Sequence, residues 1–310
     1  MDATTQAIGL SCICILLWVL LMSLYLCTNL RNNFDDRCDL LAKVSDAAQQ
    51  STLLNVYCFF LNALTLLMRI TSSPRMFSKT RLVIVFFSTI AINIIAGASS
   101  LLVFMYEKNM CGDLYGVSLP YPIWIEWIAC VPLMALCSSL PELKGKNDSL
   151  NTWNKLFIGS LWLCIIFGAV MALSTTIESY IICCFLSFSC FLCPYYIWYR
   201  GLGQKFRIDS DEYSHSQRSE TLGEIESGII SKEKEKLKSF MIFVLPSFPL
   251  IYILAVSKLI DQNSTLICFN VANVIAKFIF STRCCDVHIG LVQDVFNILT
   301  AGENHVRPCA

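Results

Sequence analysis

Eight runs of about 20 mostly apolar residues divide this chain, and each is long enough to cross the hydrocarbon of a bilayer as a helix. They are Ala7–Cys27, Ser51–Ile70, Leu82–Tyr106, Leu119–Leu140, Leu156–Leu173, Ser179–Tyr199, Phe240–Ile260 and Thr265–Thr282. Backbone groups cannot go unpaired in lipid, so such runs fold as a helical bundle or a closed barrel. The period-two alternation of barrel strands is missing, which excludes the barrel. With 55% hydrophobic and 15% charged residues and a mean hydropathy of +0.60, the composition is that of a polytopic membrane protein. The formal net charge is zero, and no nucleic-acid partner is expected.

Loop charges orient the bundle, because Lys and Arg accumulate in short cytoplasmic loops. Arg69, Arg75, Lys79 and Arg81 border the second loop, Lys144 and Lys146 lie in the fourth, and the sixth is rich in lysine and arginine from Arg200 to Lys238. The intervening loops carry little base and face outward. That places the Asn263-Ser264-Thr265 sequon outside, where it is open to glycosylation, and Asn147-Asp148-Ser149 inside, where it is idle. Ala7–Cys27 lacks a basic flank and is long for a signal-peptide core, so it reads as an extra, uncleaved helix, with a signal segment as the alternative. The expected organisation is therefore a hydrophobic segment and outer polar stretch over 1–50, a seven-helix domain over 51–285, and a short inner tail over 286–310. Such a tail is too short for a catalytic domain, and no enzyme activity is expected.

Lys277 lies in the otherwise uncharged run Thr265–Thr282. An ammonium in hydrocarbon costs about 2.5–3.5 kcal/mol even on lenient insertion scales, so this lysine needs a reason. Condensation with a carbonyl ligand as a Schiff base is one such reason. Asn270, Asn273 and Lys277 recur at helical spacing and share a face, which a membrane helix turns toward the bundle interior. The other unusual charge is Glu126, the only acid between Asp113 and Glu142. A buried cation requires an anion nearby, and Glu126 is the candidate. Trp124, Trp127, Phe248 and Tyr252 can wall a slot for a flat, elongated ligand.

These residues resemble the microbial-type rhodopsins, and among them the channelrhodopsins. Glu126 followed by Trp127, with Pro132 five residues after the Trp, matches the third rhodopsin helix. Phe248-Pro249 with Tyr252 matches the sixth. Asn273 four residues before Lys277 matches the seventh. The resemblance covers roughly Ser51 to Cys285. It implies an all-α seven-helix bundle in which all-trans retinal is joined to Lys277 as a Schiff base. Glu126 is then the counterion, and Trp127, Pro132, Phe248, Pro249, Tyr252 and Asn273 line the chromophore site. It also implies a homodimer in a plasma membrane.

Departures from the family pattern narrow the function. An outward proton pump of the family carries a donor carboxylate where this chain has Cys137, and commonly an arginine where it has Ile123. An inward chloride pump has a neutral residue in place of Glu126. Cation-conducting channelrhodopsins line the second rhodopsin helix with glutamates, whereas this segment has none before Glu107 and places Asn93 at the central-gate position. Acidic rings select cations, and a pore bordered by Ser88, Asn93 and Ser100 suits chloride or nitrate. The reading is a light-gated anion channel. A cation-conducting channel, a photosensor acting through a partner, and a chemoreceptor in which Lys277 is merely a paired buried charge are the alternatives.

Of the 17 cysteines, most lie in apolar runs and read as small packing residues. Cys38 and Cys111 fall in outward loops and are the disulfide candidates. Cys284 and Cys285 follow the last run and read as acylation sites or idle thiols. Residues 201–238 read as a flexible loop.

Overall fold

The computed structural model describes residues 3–31, 44–71, 80–106, 117, 119–139, 152–212, 236–237 and 239–287, and among them it contains helices and no strand. The helices are α1 (Ala3–Arg31), α2 (Asp46–Thr71), α3 (Thr80–Tyr106), α4 (Tyr121–Ser139), α5 (Thr152–Leu173) and α6 (Ile177–Glu212). They continue with α7 (Ser239–Val256) and α8 (Gln262–Val287), and all eight described helices include a span long and apolar enough to cross a membrane. The chain is a multi-pass membrane protein, with one helix ahead of the seven that the sequence assigns to the bundle.

Every apolar run is a helix, but helices and runs do not end together. The hydrogen-bond ladder continues wherever the backbone can keep it, whatever the hydropathy. Thus α2 begins at Asp46, inside the stretch read as polar and outside the helical domain, and α6 continues through Glu212 into the stretch read as a loop. A turn breaks α7 at Leu245–Pro246, where proline withholds an N–H from the ladder. At the start of α8, Asp261 caps the helix by accepting from the Ser264 N–H at 2.8 Å. The Ser264 hydroxyl and N–H hold the Asp261 carboxyl below its ordinary pKa.

Polar contacts fix the neighbours, as they must where lipid offers the helices no hydrophobic drive to associate. α2 and α8 run parallel, joined by a ladder of rungs. At the outer end the Ser45 N–H donates to Asn263 Oδ1 at 2.8 Å. Next, Asn55 donates to Asn270 Oδ1 at 2.9 Å, while Asn270 donates to Ser51 and Thr52. Further in, Thr282 donates to Asn62 Oδ1 at 3.4 Å, and at the inner end Arg69 pairs with Asp286 at 2.6 Å.

α1 runs parallel to α3, with Ser11 against Ser88 at 3.2 Å and the Trp18 indole donating to Ser99 at 3.1 Å. Its amino-terminal end therefore lies on the same side of the membrane as that of α3. Its outer end also meets α4, where the Tyr25 and Tyr121 rings are 6.4 Å apart. With α1 on its outer side, α4 becomes the central helix. From Pro122 to Ser139 only Ile125 and Ile128 escape full burial.

The ladder generates the first prediction. Asn270→Leu removes three hydrogen bonds and takes from the Asn55 carboxamide its acceptor on α8, while the Ser51 and Thr52 hydroxyls keep their bonds to the Ala48 carbonyl. It should lower unfolding free energy in detergent by about 1–2 kcal/mol. Thermal unfolding followed by circular dichroism checks this, and an unchanged melting temperature contradicts it.

Candidate functional site

The ladder of α8 changes pitch at the lysine. Ile275–Ile279 forms a π-helical turn, and Ala276 and Lys277 within it are buried. Such single-turn widenings occur mostly at functional sites, because they redirect one side chain out of the regular register. Here Lys277 is turned onto α4, where its amine pairs with Glu126 Oε1. The lysine is 2% exposed and the glutamate 0%.

Asn273, one turn before Lys277, donates from Nδ2 to the same Glu126 oxygen at 2.8 Å, and its Oδ1 accepts from the Trp127 indole at 3.3 Å. One carboxylate oxygen thus gathers an ammonium and a carboxamide. The other, Oε2, is buried without a hydrogen-bond partner. The three polar residues that share a face of α8 serve different neighbours: Asn270 reaches α2, whereas Asn273 and Lys277 reach α4.

Lys277 also lines a cavity formed by α4, α5, α6, α7 and α8. Its walls are almost wholly apolar, and Trp127, Phe248, Pro249 and Tyr252 stand among them. The aromatic rings pack on each other: Trp127 lies 4.8 Å from Phe248 at 70° and 5.3 Å from Trp124 at 71°. These edge-to-face arrangements place the positive rim of one ring on the negative face of the next. Gly168 gives the Trp124 ring its room at this wall, since a Cβ there would lie 3.0 Å from the ring and push it by a few tenths of an ångström. A cavity with a single amine, apolar and aromatic walls, and an acid beside the amine accommodates an elongated apolar aldehyde. Lys277 would bind its carbonyl carbon, and Glu126 would balance the resulting positive charge.

The other residues singled out from the sequence fall in several places. Ser88, assigned to the pore, faces α1 and hydrogen-bonds Ser11. Pro132 is buried within α4 but does not line the cavity. Cys284 and Cys285 are both 0% exposed, which rules out acylation in this conformation. In the outer sequon the half-buried Asn263 accepts from the Ser45 N–H through Oδ1, and Thr265 is buried. Asn93 does lie between helices, accepting from Asn62 Nδ2 at 3.0 Å and donating to the Thr89 carbonyl at 2.8 Å. Ser100 is buried nearby on α3. Cys38 and Cys111 lie outside the described residues.

The residues missed by sequence reasoning are chiefly Asn62, Cys164, Gly168, Ser187 and Phe191. Only Asn62 left a readable signal, two helical turns after Asn55 on α2. Among the described residues no cluster of metal-ligating side chains occurs.

A family model described as bacteriorhodopsin-like protein matches residues 46–290. No curated protein matches the chain at a significant level. Among solved structures, the transmembrane domain and linker region of a rhodopsin phosphodiesterase from Salpingoeca rosetta superposes with a TM-score of 0.64 at 12% identity, covering 97% of this chain and 99% of that one. A thermophilic rhodopsin from Rubrobacter xylanophilus gives 0.61 at 15%, over 79% and 97%. A proton-pumping rhodopsin from the marine alga Acetabularia acetabulum gives 0.58 at 14%, over 82% and 100%. At such identities the likeness is one of fold. The 97% overlap includes most of the 29-residue α1.

Breaking one side of a buried ion pair strands the other charge, at about 3–5 kcal/mol. Glu126→Gln should therefore destabilise the protein without ligand by about that amount, and adding Lys277→Met should recover most of it. Thermal unfolding of the two variants decides the matter: equal stability would show that the pair is not an interacting unit.

Proposed function

This chain belongs to the bacteriorhodopsin-like family, and from that premise we propose that it is a light-gated ion channel that carries all-trans retinal on Lys277 and conducts anions. Retinal, when bound, supplies the absorption of light and a change of shape. The chain supplies the rest. Lys277 would hold the aldehyde through its amine, as a Schiff base formed with loss of one water. Glu126 holds the positive charge on the nitrogen, and Asn273 fixes the carboxylate. Trp127, Phe248 and Tyr252 confine the polyene.

The observation that carries the channel reading is the neutral polar seam between α2, α3 and α8. From Ser51, Thr52, Asn55 and Asn270 it passes inward to Asn62, Asn93, Thr89 and Thr282. The residues of this seam are uncharged until the Arg69–Asp286 pair at its inner end. Carboxamides and hydroxyls replace part of an ion's hydration shell, and without acidic rings nothing repels an anion. Each amide is engaged with a neighbour, as befits a closed path. The absence of a carboxylate at Cys137 argues against a pump, since pumps that resemble this chain carry a donor carboxylate at that place.

A second reading, a photosensor that signals through a partner, draws on the overlap of fold with the membrane domain of a rhodopsin phosphodiesterase, extending through α1. Recording separates the two. Purified protein given all-trans retinal should develop a visible band that Lys277→Ala abolishes. Whole-cell currents under light should reverse near the chloride potential, and Asn93→Glu should move the reversal toward cations. A reversal that follows sodium or protons overturns anion selectivity, and absence of current in well-expressing cells favours the sensor.

A further inference from the structure

The cavity that reaches Lys277 has a side wall made where α6 meets α7. Phe188 of α6 belongs to two surfaces at once. Its ring lines the cavity, yet it is 38% exposed. Helical register explains how: Phe188 lies three residues after Phe185 and four before Leu192, which are 70% and 63% exposed on the outer face of α6. Across from it, Pro249 and Tyr252 of α7 line the cavity while their neighbours Leu250 and Ile253, 56% and 50% exposed, point outward. The cavity thus comes to the lipid-facing surface between these helices, with one aromatic ring in the gap.

Two tyrosines frame that gap. Toward the outer end, the Tyr180 and Tyr252 hydroxyls are 2.6 Å apart, and toward the inner end the Tyr195 hydroxyl donates to the Ile242 carbonyl at 2.9 Å. At 1.5 Å per residue, Tyr180 and Tyr195 stand about 22 Å apart along α6. That leaves ample room for the width of a substituted ring between two fixed points. α7 is also the more deformable wall, because Pro246 and Pro249 both withhold an N–H from its ladder.

We propose that the gap between α6 and α7 is a lateral portal through which a long apolar aldehyde passes from the bilayer to Lys277, with the Phe188 ring as its door. The inference rests on the retinal reading of the cavity and adds the route of loading. A polyene of this length partitions into lipid rather than water, at about 0.8 kcal/mol for each buried carbon unit. A side entrance at the depth of the hydrocarbon therefore meets the ligand where it is concentrated. The Phe188 side chain can swing without disturbing the rest of the site, since neither Glu126 nor Asn273 bonds to it.

The experiment uses the full chain without ligand in lipid nanodiscs, mixed with vesicles holding a set mole fraction of all-trans retinal. The rate at which the visible band rises is measured together with its final height. Phe188→Ala should load roughly tenfold faster, about 1.4 kcal/mol off the entry barrier, and Phe188→Trp should load more slowly. Phe185→Ala, which opens the lipid face without touching the cavity, should match the unmodified protein. Rates are compared on bands scaled to their own final heights, because Phe188 also lines the cavity. Phe188→Leu serves as a milder opening if the alanine variant does not fold. Equal rates for all variants at position 188, with a normal final band, overturn the portal and leave the retinal reading intact. Absence of a band in every form, the unmodified protein included, overturns both.

Discussion

The pairing of Lys277 with Glu126 constrains the whole bundle. Neither charge can be left alone in the membrane interior, so α8 and α4 must meet at one depth and one rotation. The pairing accounts for the π-turn, which aims the lysine at α4. It also accounts for Asn273, whose carboxamide joins the same carboxylate oxygen to the Trp127 indole. A carboxylate so placed requires an environment that water does not flood, and α1 contributes by covering the outer side of α4. The added helix is therefore part of the packed structure, with two side-chain hydrogen bonds to α3, and not a tether at the edge of the fold.

A second set of constraints runs between α2 and α8. A hydrogen bond between membrane helices contributes modestly, so specificity comes from repetition. The rungs at Ser45–Asn263, Asn55–Asn270, Asn62–Thr282 and Arg69–Asp286 set the register of two helices over their full length. They do so with neutral groups until the inner surface, where an exposed ion pair costs little to desolvate. Such a seam holds the helices together through bonds that are individually weak, because each broken amide pair can be re-solvated by water.

What could be read from the sequence was whatever lipid makes expensive. The eight runs were visible because hydrocarbon thickness fixes their length. Lys277 and Glu126 were visible because a charge there demands a partner, and Asn273 because its spacing put it on the lysine's face. Rotation about the helix axis was the weak point. Ser88 and Asn93 lie on the same helix, five residues apart, and sequence reasoning gave both to the pore. The structure turns Ser88 to α1, a neighbour whose packing position no local pattern reveals. Gly168, Cys164 and Phe191 were silent for a different reason: small and apolar residues are the common stock of every membrane helix, and only the shape of the cavity singles them out. Pro132 belongs to the motif on α4, is buried there, and is not among the residues that line the cavity.

The two sets of constraints meet within one residue of the lysine. Asn62, which donates to Asn93, also reaches the Phe278 carbonyl at 3.5 Å, and Thr282 one turn on donates back to Asn62. Phe278 follows Lys277 directly and lies inside the π-turn, where the backbone leaves the regular α-helical ladder. On the retinal reading, a change of ligand shape pulls on the Lys277 side chain, and the nearest compliant element is this turn. A shift of the Phe278 carbonyl then removes one acceptor from Asn62 at the point where Asn62 closes against Asn93. The amide pair would thereby be coupled to the Lys277 side chain through a single peptide unit, without requiring α8 to move as a rigid rod. Light would loosen the middle of the seam first, while the outer rungs and the Arg69–Asp286 pair keep α2 and α8 in register.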